Sequence, residues 1–169
     1  MMNHGALAPS PWIVRWAPLV TRGAVLDVAC GTGRHANFFL HRGLDVVAVD
    51  RQPQRIPGAR FIQADLEDGS PWPFPGQRFN AVVVTNYLHR PLMDRLAGCL
   101  AECGVLIYET FMLGNERFGN PSNPEFLLRP GELLESFKGL TVKAFEEGEV
   151  TDPKPAMIQR LCAVRTRKG

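Results

Sequence analysis

From Ala24 to Glu109 the chain alternates short apolar runs with polar stretches of helical or turn character. The runs Val25–Ala29, Leu44–Val49, Ala81–Thr85 and Gly104–Glu109 show little polar alternation and read as strands covered on both faces, with Arg60–Gln63 as a shorter one. Arg34–Arg42 and Leu92–Ala101 carry apolar positions three and four apart and predict helices. This rhythm predicts a parallel α/β sheet. Two crossovers are lean: Asp50 to Gly58 holds two prolines and room for about one helical turn, and Asp65 to Arg78 is a proline-rich loop around Trp72-Pro-Phe-Pro75.

After Glu109 the periodicity fades. Thr110 to Arg129 contains Gly114, Gly119, Pro121 and Pro124, yet its Phe111, Phe118 and Phe126 argue for an ordered cap over the sheet's top edge rather than a disordered link. A short helix, Glu132 to Phe137, follows Pro130. Two strands close the chain, Thr141–Gly148 and Met157–Thr166, and the link between them has no helical pattern, so they must pair as an antiparallel hairpin. Leu161-Cys-Ala-Val164 is apolar without alternation, as expected of a strand inserted inside a sheet. At the other end, residues 1–9 read as a flexible leader. Ser10-Pro11 supplies an N-cap and a first-turn proline for a short helix bearing Trp12, Ile13, Trp16 and Leu19, which Pro18 ends early. Its aromatic face is expected to pack on the domain rather than lie over a ligand mouth.

Composition narrows the class. At 169 residues, 45% hydrophobic, the chain suits one domain over 1–169. Nineteen basic against seventeen acidic residues leave +2 and no sustained basic stripe, which argues against nucleic acid and for a small-molecule partner. Cys30, Cys99, Cys103 and Cys162 form no C-x-x-C pair, and the N-terminus has no long apolar run. The expectation is a reduced, cytoplasmic protein, a monomer or weak homodimer, with no metal site and no membrane segment.

The candidate chemistry begins where the first run stops, at Val25-Leu-Asp-Val-Ala-Cys-Gly-Thr-Gly-Arg-His-Ala36. Gly31 and Gly33 let the backbone approach a ligand, and the helix behind them offers free N–H groups, so a nucleotide-like ligand is expected there. The pattern G-x-G-x-x-A fits dinucleotide-binding enzymes as well. Asp50 ends the second strand and Asp65 follows the third, while Asn86, Tyr87 and His89 lie just past the fourth, where open α/β sheets bind ligands. His89 is a candidate base, a substrate or cofactor contact, or a helix cap.

The glycine run Leu26-Asp-Val-Ala-Cys-Gly-Thr-Gly33, the two strand-end acids, the stretch Phe79–His89 and Cys103-Gly-Val-Leu-Ile-Tyr-Glu109 resemble class I S-adenosylmethionine-dependent methyltransferases. Within that class, Phe126-Leu-Leu-Arg-Pro-Gly-Glu-Leu133 and the strand bearing Arg160 are similar to the small tellurite-resistance type, although the loop before the last strand is shorter and lacks a histidine. The resemblance implies a Rossmann-like, doubly wound sheet of about seven mostly parallel strands with an antiparallel last strand. It implies S-adenosylmethionine as cofactor and S-adenosylhomocysteine as product. Asp50 would accept the ribose hydroxyls and Asp65 would hold the adenine amino group. Arg51, Leu66, Ala29, Gly31, Gly33, His35 and Asn86 complete the expected cofactor set, and Asp27 supports the loop or reaches the amino group through water.

Tyr87, His89 and Arg160 are the expected catalytic residues. Phe111, Arg117 and Arg129, with Lys154, would line an entrance for an anionic or weakly acidic acceptor. Three other readings share the glycine turn: a nicotinamide-dependent reductase, disfavoured by Asp65 and the terminal hairpin; an RNA or DNA methyltransferase, disfavoured because Thr85-Asn-Tyr-Leu lacks paired prolines; and a non-catalytic cofactor-binding protein.

Overall fold

The structure, a computed structural model, describes residues 7–167; the first six residues of the expected leader and Lys168 of the tail lie outside the described residues. The strands are β1 (Ala24–Val28), β2 (Asp45–Asp50), β3 (Arg60–Gln63), β4 (Phe79–Thr85), β5 (Leu100–Phe111), β6 (Thr141–Val150) and β7 (Ala156–Val164). They form one sheet in the order β3-β2-β1-β4-β5-β7-β6. The first five run parallel, and β7 inserts antiparallel between β5 and β6, as the terminal sequence predicted.

Alternate residues of each central strand serve two cores. Leu26, Val28, Val82, Val84, Leu106 and Tyr108 pack with α3 (Met93–Gly98) and α4 (Glu132–Ser136) on one face. Val25, Ala81, Val83 and Ile107 face α1 (Pro11–Trp16) and α2 (Arg34–His41) on the other. Near-continuous apolar strands are what a sheet buried on both sides requires.

α1 behaves as its sequence predicts: Ser10 Oγ accepts the Trp12 N–H at 3.2 Å, and the helix tightens into a 3-10 turn at Ala17–Leu19, where Pro18 sits. Trp12 is buried on the sheet, its Nε1 donating to the Leu161 carbonyl at 3.2 Å. The helix expected over Leu92–Ala101 is shorter. A 3-10 turn at Arg90–Leu92 leads into α3, which stops at Gly98, because Leu100 already pairs with Phe79 as the start of β5. Gly104 has no room for a side chain, since a Cβ there would lie 2.7 Å from the Ala101 carbonyl oxygen.

The segment between β5 and α4 is ordered. Met112 bridges Leu128, and Leu127 and Leu128 are fully buried. Asn115, itself buried, donates to the Pro121 carbonyl and accepts the Met157 N–H, tying this cap to β7. Arg90 holds the cap from below: it is bidentate to Glu132 at 2.7 and 2.9 Å and donates to the carbonyls of Glu125 and Leu127.

Candidate functional site

β1 and β4 are neighbours, so the order of the sheet reverses between them, and a crevice opens at their C-terminal ends. Two residues there hold left-handed backbone without being glycine, Ala29 at φ 52° and Asn86 at φ 54°. Such strain gathers where a ligand needs backbone at a fixed height. Gly31, at φ 53°, faces open space, whereas Gly33, at φ 90°, packs so closely that a Cβ would stand 2.7 Å from Ile56.

The glycine turn is fixed from both sides. Asp50 Oδ2 accepts the Gly31 N–H at 2.9 Å and Oδ1 accepts the Gln52 N–H at 2.9 Å, which leaves further lone pairs for a ligand's hydroxyls. Asp27, fully buried, accepts the Ala36 N–H at 3.0 Å and so pins the first turn of α2. Burial pushes its carboxyl up to about 7; the Ala36 hydrogen bond and Arg34 only partly oppose that. Asp65 turns its own loop by accepting the Glu67 N–H.

Around this turn lies a cavity of about 430 Å³ in which Asp50, Arg51, Asp65, Leu66 and Ala29 meet Tyr87. The two carboxylates therefore face one space with an apolar floor of Val49 and Ala64. Tyr87 lines this cavity beside Glu67; burial first, and then the Glu67 carboxylate, push its phenol well above the ordinary range, so it stays protonated. Glu67 also pairs with His89 Nδ1 at 3.2 Å. His89 thus sits behind Glu67 rather than among the residues lining the cavity.

A second, shallower cavity shares Glu67, Tyr87 and Phe126 with the first and adds Asn86 and Phe111. A third, of about 340 Å³, shares Asn86 and Phe111 with the second. The three make one trough along the strand ends. The third cavity is walled by Pro9 and Pro11 of the N-terminal segment and by Val150, Ala156 and Ile158 of the β6–β7 tip; Ser10 and Glu109 line it, along with Arg34, Lys154 and Arg160.

Three sequence expectations change. His35 is buried at the start of α2: Ser10 N–H donates to its Nε2 at 3.0 Å, and Nδ1 meets Thr85 Oγ1 at 3.2 Å. Because Nε2 accepts, the proton belongs on Nδ1. Burial, with a smaller effect from Arg34, lowers the imidazole to about 4, so it is neutral and binds the N-terminal segment to β4 rather than lining the trough.

Arg160 is not a free cation. Its Nε contacts Glu109 Oε2 at 2.5 Å, its Nη1 lies 3.4 Å from Glu146, and it stands over the Trp12 ring. Arg117 and Arg129 lie apart from the trough, Arg117 on Phe118 and Glu149, Arg129 beside Glu132.

Glu67, Glu109 and Ser10 were not singled out by sequence reasoning. For Glu109 the signal was register: it stands directly across from Arg160, which in turn stands across from Glu146.

This glycine turn, the acids after β2 and β3, and the inserted antiparallel β7 define a class I S-adenosylmethionine-dependent methyltransferase domain. Residues 25–106 match the family model described as a methyltransferase domain, and the chain carries a domain of that family. A trans-aconitate 2-methyltransferase of Methylobacterium nodulans is 32% identical over 108 residues, covering 58% of this chain and 42% of that protein. A ribosomal RNA small subunit methyltransferase H of Gemmatimonas aurantiaca is 28% identical over 158 residues, 84% of this chain and 46% of that one. The chain thus spans less than half the length of these curated relatives.

Among solved structures, TehB from Haemophilus influenzae superposes with a TM-score of 0.76 at 16% identity, over 98% of this chain and 65% of the other. The 1,6-didemethyltoxoflavin-N1-methyltransferase of Burkholderia thailandensis, solved with S-adenosylhomocysteine bound, gives 0.67 at 20% identity, over 92% and 76%. At these identities both likenesses speak for the fold alone.

Proposed function

We propose that the protein transfers a methyl group from S-adenosylmethionine to a small, weakly acidic or anionic acceptor. One observation carries the reading: Asp50 and Asp65 face a single cavity beside the glycine turn, and that cavity runs on through Asn86 and Phe111 into an apolar-walled one. Asp50 is suited to a ribose, Asp65 to an adenine amino group, and Arg51 and Leu66 to the base itself. When bound, the cofactor supplies an electrophilic methyl group.

The chain's own contribution is orientation and exclusion of water, which for an in-line displacement can supply several kcal/mol. Phe111, Pro11 and Ile158 offer a dry wall for the acceptor's body, and Arg34 and Lys154 are the cations of that cavity nearest to hand for an anion. Tyr87 and Asn86 stand between the cofactor and acceptor spaces. His89 acts through Glu67 in this reading, fixing the carboxylate that stands beside Tyr87.

Calorimetry with S-adenosylmethionine, S-adenosylhomocysteine and NAD, followed by mass spectrometry for S-adenosylhomocysteine in the presence of small acceptors, tests this. Binding of NAD alone would overturn it. A nucleic-acid acceptor is the second reading, because one of the curated relatives is named for ribosomal RNA. The cavity walled by Pro9 and Pro11, about 340 Å³, is of a size that favours a small molecule. Methylation of RNA fragments but of no small acceptor would reverse that choice.

A further inference from the structure

We infer that Glu109, rather than His89, receives the proton of the methyl acceptor, and that the acceptor is a neutral molecule with an O–H, N–H or S–H group on an apolar body. This rests on the methyltransferase reading above and narrows it. Glu109 ends the fully paired part of β5 beside Asn86, whose N–H donates to the Glu109 carbonyl at 2.9 Å. Its side chain is only 12% exposed, and it lines the apolar-walled cavity. His89 does not line that cavity.

The surroundings of Glu109 suit proton uptake. Ser10 Oγ donates to Oε1 at 2.9 Å and Arg160 Nε to Oε2, so the carboxylate is held in one orientation. A carboxylate with two oxygens can accept roughly four hydrogen bonds, and lone pairs remain for an acceptor's proton. Protonating a carboxylate bonded to an arginine ordinarily strands the cation. Here Arg160 has a second partner, Glu146, on the neighbouring strand, itself paired with Arg15 at 3.2 Å. Glu109 can lose its charge while Arg160 keeps a counter-ion.

The step balances. A lone pair of the acceptor atom forms the bond to the methyl carbon as the carbon–sulfur bond breaks, and the sulfur keeps that bond's electrons and becomes neutral. The acceptor's proton, made more acidic by its new bond, passes to Glu109 and later to water. No strong base is needed, because the proton is acidified as the bond forms. A carboxylate acceptor carries no proton at neutral pH and so makes no use of Glu109, although Arg34 and Lys154 of the same cavity would attract its charge. The preferred acceptor is therefore protic and uncharged, with a ring or chain against Phe111 and Ile158.

The test uses the full chain saturated with S-adenosylmethionine, with cofactor affinity measured independently by calorimetry. The probes are 4-methylphenol, aniline and 2-phenylethanethiol, against benzoate and tricarballylate. The expected result is turnover of at least one protic probe in preference to both carboxylates. For that probe Glu109→Gln should lower kcat at least 100-fold and leave KM within threefold; Glu109→Asp should recover part of the rate. Cofactor affinity should stay within threefold in both variants. A preference for benzoate or tricarballylate, turnover of no protic probe by the cofactor-bound protein, or an equal loss of cofactor affinity in Glu109→Gln would each overturn the inference. Failure of the cofactor to bind the unmodified protein would instead overturn the methyltransferase reading on which it rests.

Discussion

Replacing Asp27 with asparagine should make the ligand-free protein more stable at pH 8 and should expose a hidden pH dependence. Asp27 is fully buried beneath the start of α2 and titrates at about 7 because burial outweighs the Ala36 hydrogen bond. In the unfolded chain an aspartate titrates near 4. Between those values the folded state holds a proton the unfolded state releases, so stability falls as pH rises, by up to about 4 kcal/mol once both forms are ionised. His35 works in the opposite direction: burial lowers it from an ordinary 6.5 to about 4. The unfolded state takes up a proton there first, so stability rises with pH across that window, by up to about 3 kcal/mol. The two slopes nearly cancel from about pH 4 to 6.5.

The amide of the Asp27→Asn variant would keep an oxygen for the Ala36 N–H while removing the buried charge. The variant should therefore gain about 3 kcal/mol over the parent at pH 8. The difference between variant and parent should shrink steadily towards pH 4.5, because only the His35 slope remains in the variant. Urea denaturation followed by fluorescence of Trp12, Trp16 and Trp72 at four pH values reads this directly, and carboxylates common to both proteins drop out of the comparison. Parallel profiles within about 0.5 kcal/mol would show that Asp27 is charged at little cost, and the burial argument would fail.

Other substitutions separate the structural from the binding residues. Gly33→Ala places a Cβ 2.7 Å from Ile56 at a φ of 90°, and should cost about 2 kcal/mol in thermal or chemical denaturation, partly recovered by Ile56→Ala. Arg90→Met leaves Glu132, whose side chain is 6% exposed, with only Arg129 as a charged partner, and should cost about 3 kcal/mol; Arg90→Met with Glu132→Gln should cost less. Asp50→Ala removes the acceptor for the Gly31 N–H and should weaken S-adenosylmethionine binding at least tenfold by calorimetry, while unfolding shifts by no more than about 1 kcal/mol.

The fold was legible because its strands are buried on both faces. Runs such as Val82–Val84 and Leu106–Tyr108 have no polar alternation, and only a sheet covered by helices on both sides hides them. The terminal hairpin was equally legible, since a link without helical pattern cannot return a strand in parallel. The end of α3 was not, because Leu92–Ala101 keeps a helical spacing throughout and only the pairing of Leu100 with Phe79 decides where β5 begins. Such a decision is made in space, against a strand distant along the chain.

The same distinction explains the candidate site. Asp50 and Asp65 could be placed at one edge from the sequence because parallel strands deliver their C-terminal ends there, so position along the chain is nearly position in space. Arg160 was found too, but its partners were not, because they depend on register. Glu109, Arg160 and Glu146 stand in one row across β5, β7 and β6, and a slip of one residue would turn Arg160 to the opposite face. The partners of His35 were hidden for a related reason. With Ala36 and Phe39 it lies on the buried stripe of α2, a spacing visible in the sequence, but a histidine there is read as polar until its two partners, Ser10 and Thr85, are in place. Arg160, expected at an arginine-lined entrance because the terminal hairpin returns to this edge, thus stands, once register is fixed, in a neutralised row of charges with Glu109 at its inner end. On the proposal made above, that row is what fits the cavity to the acceptor's proton rather than its charge.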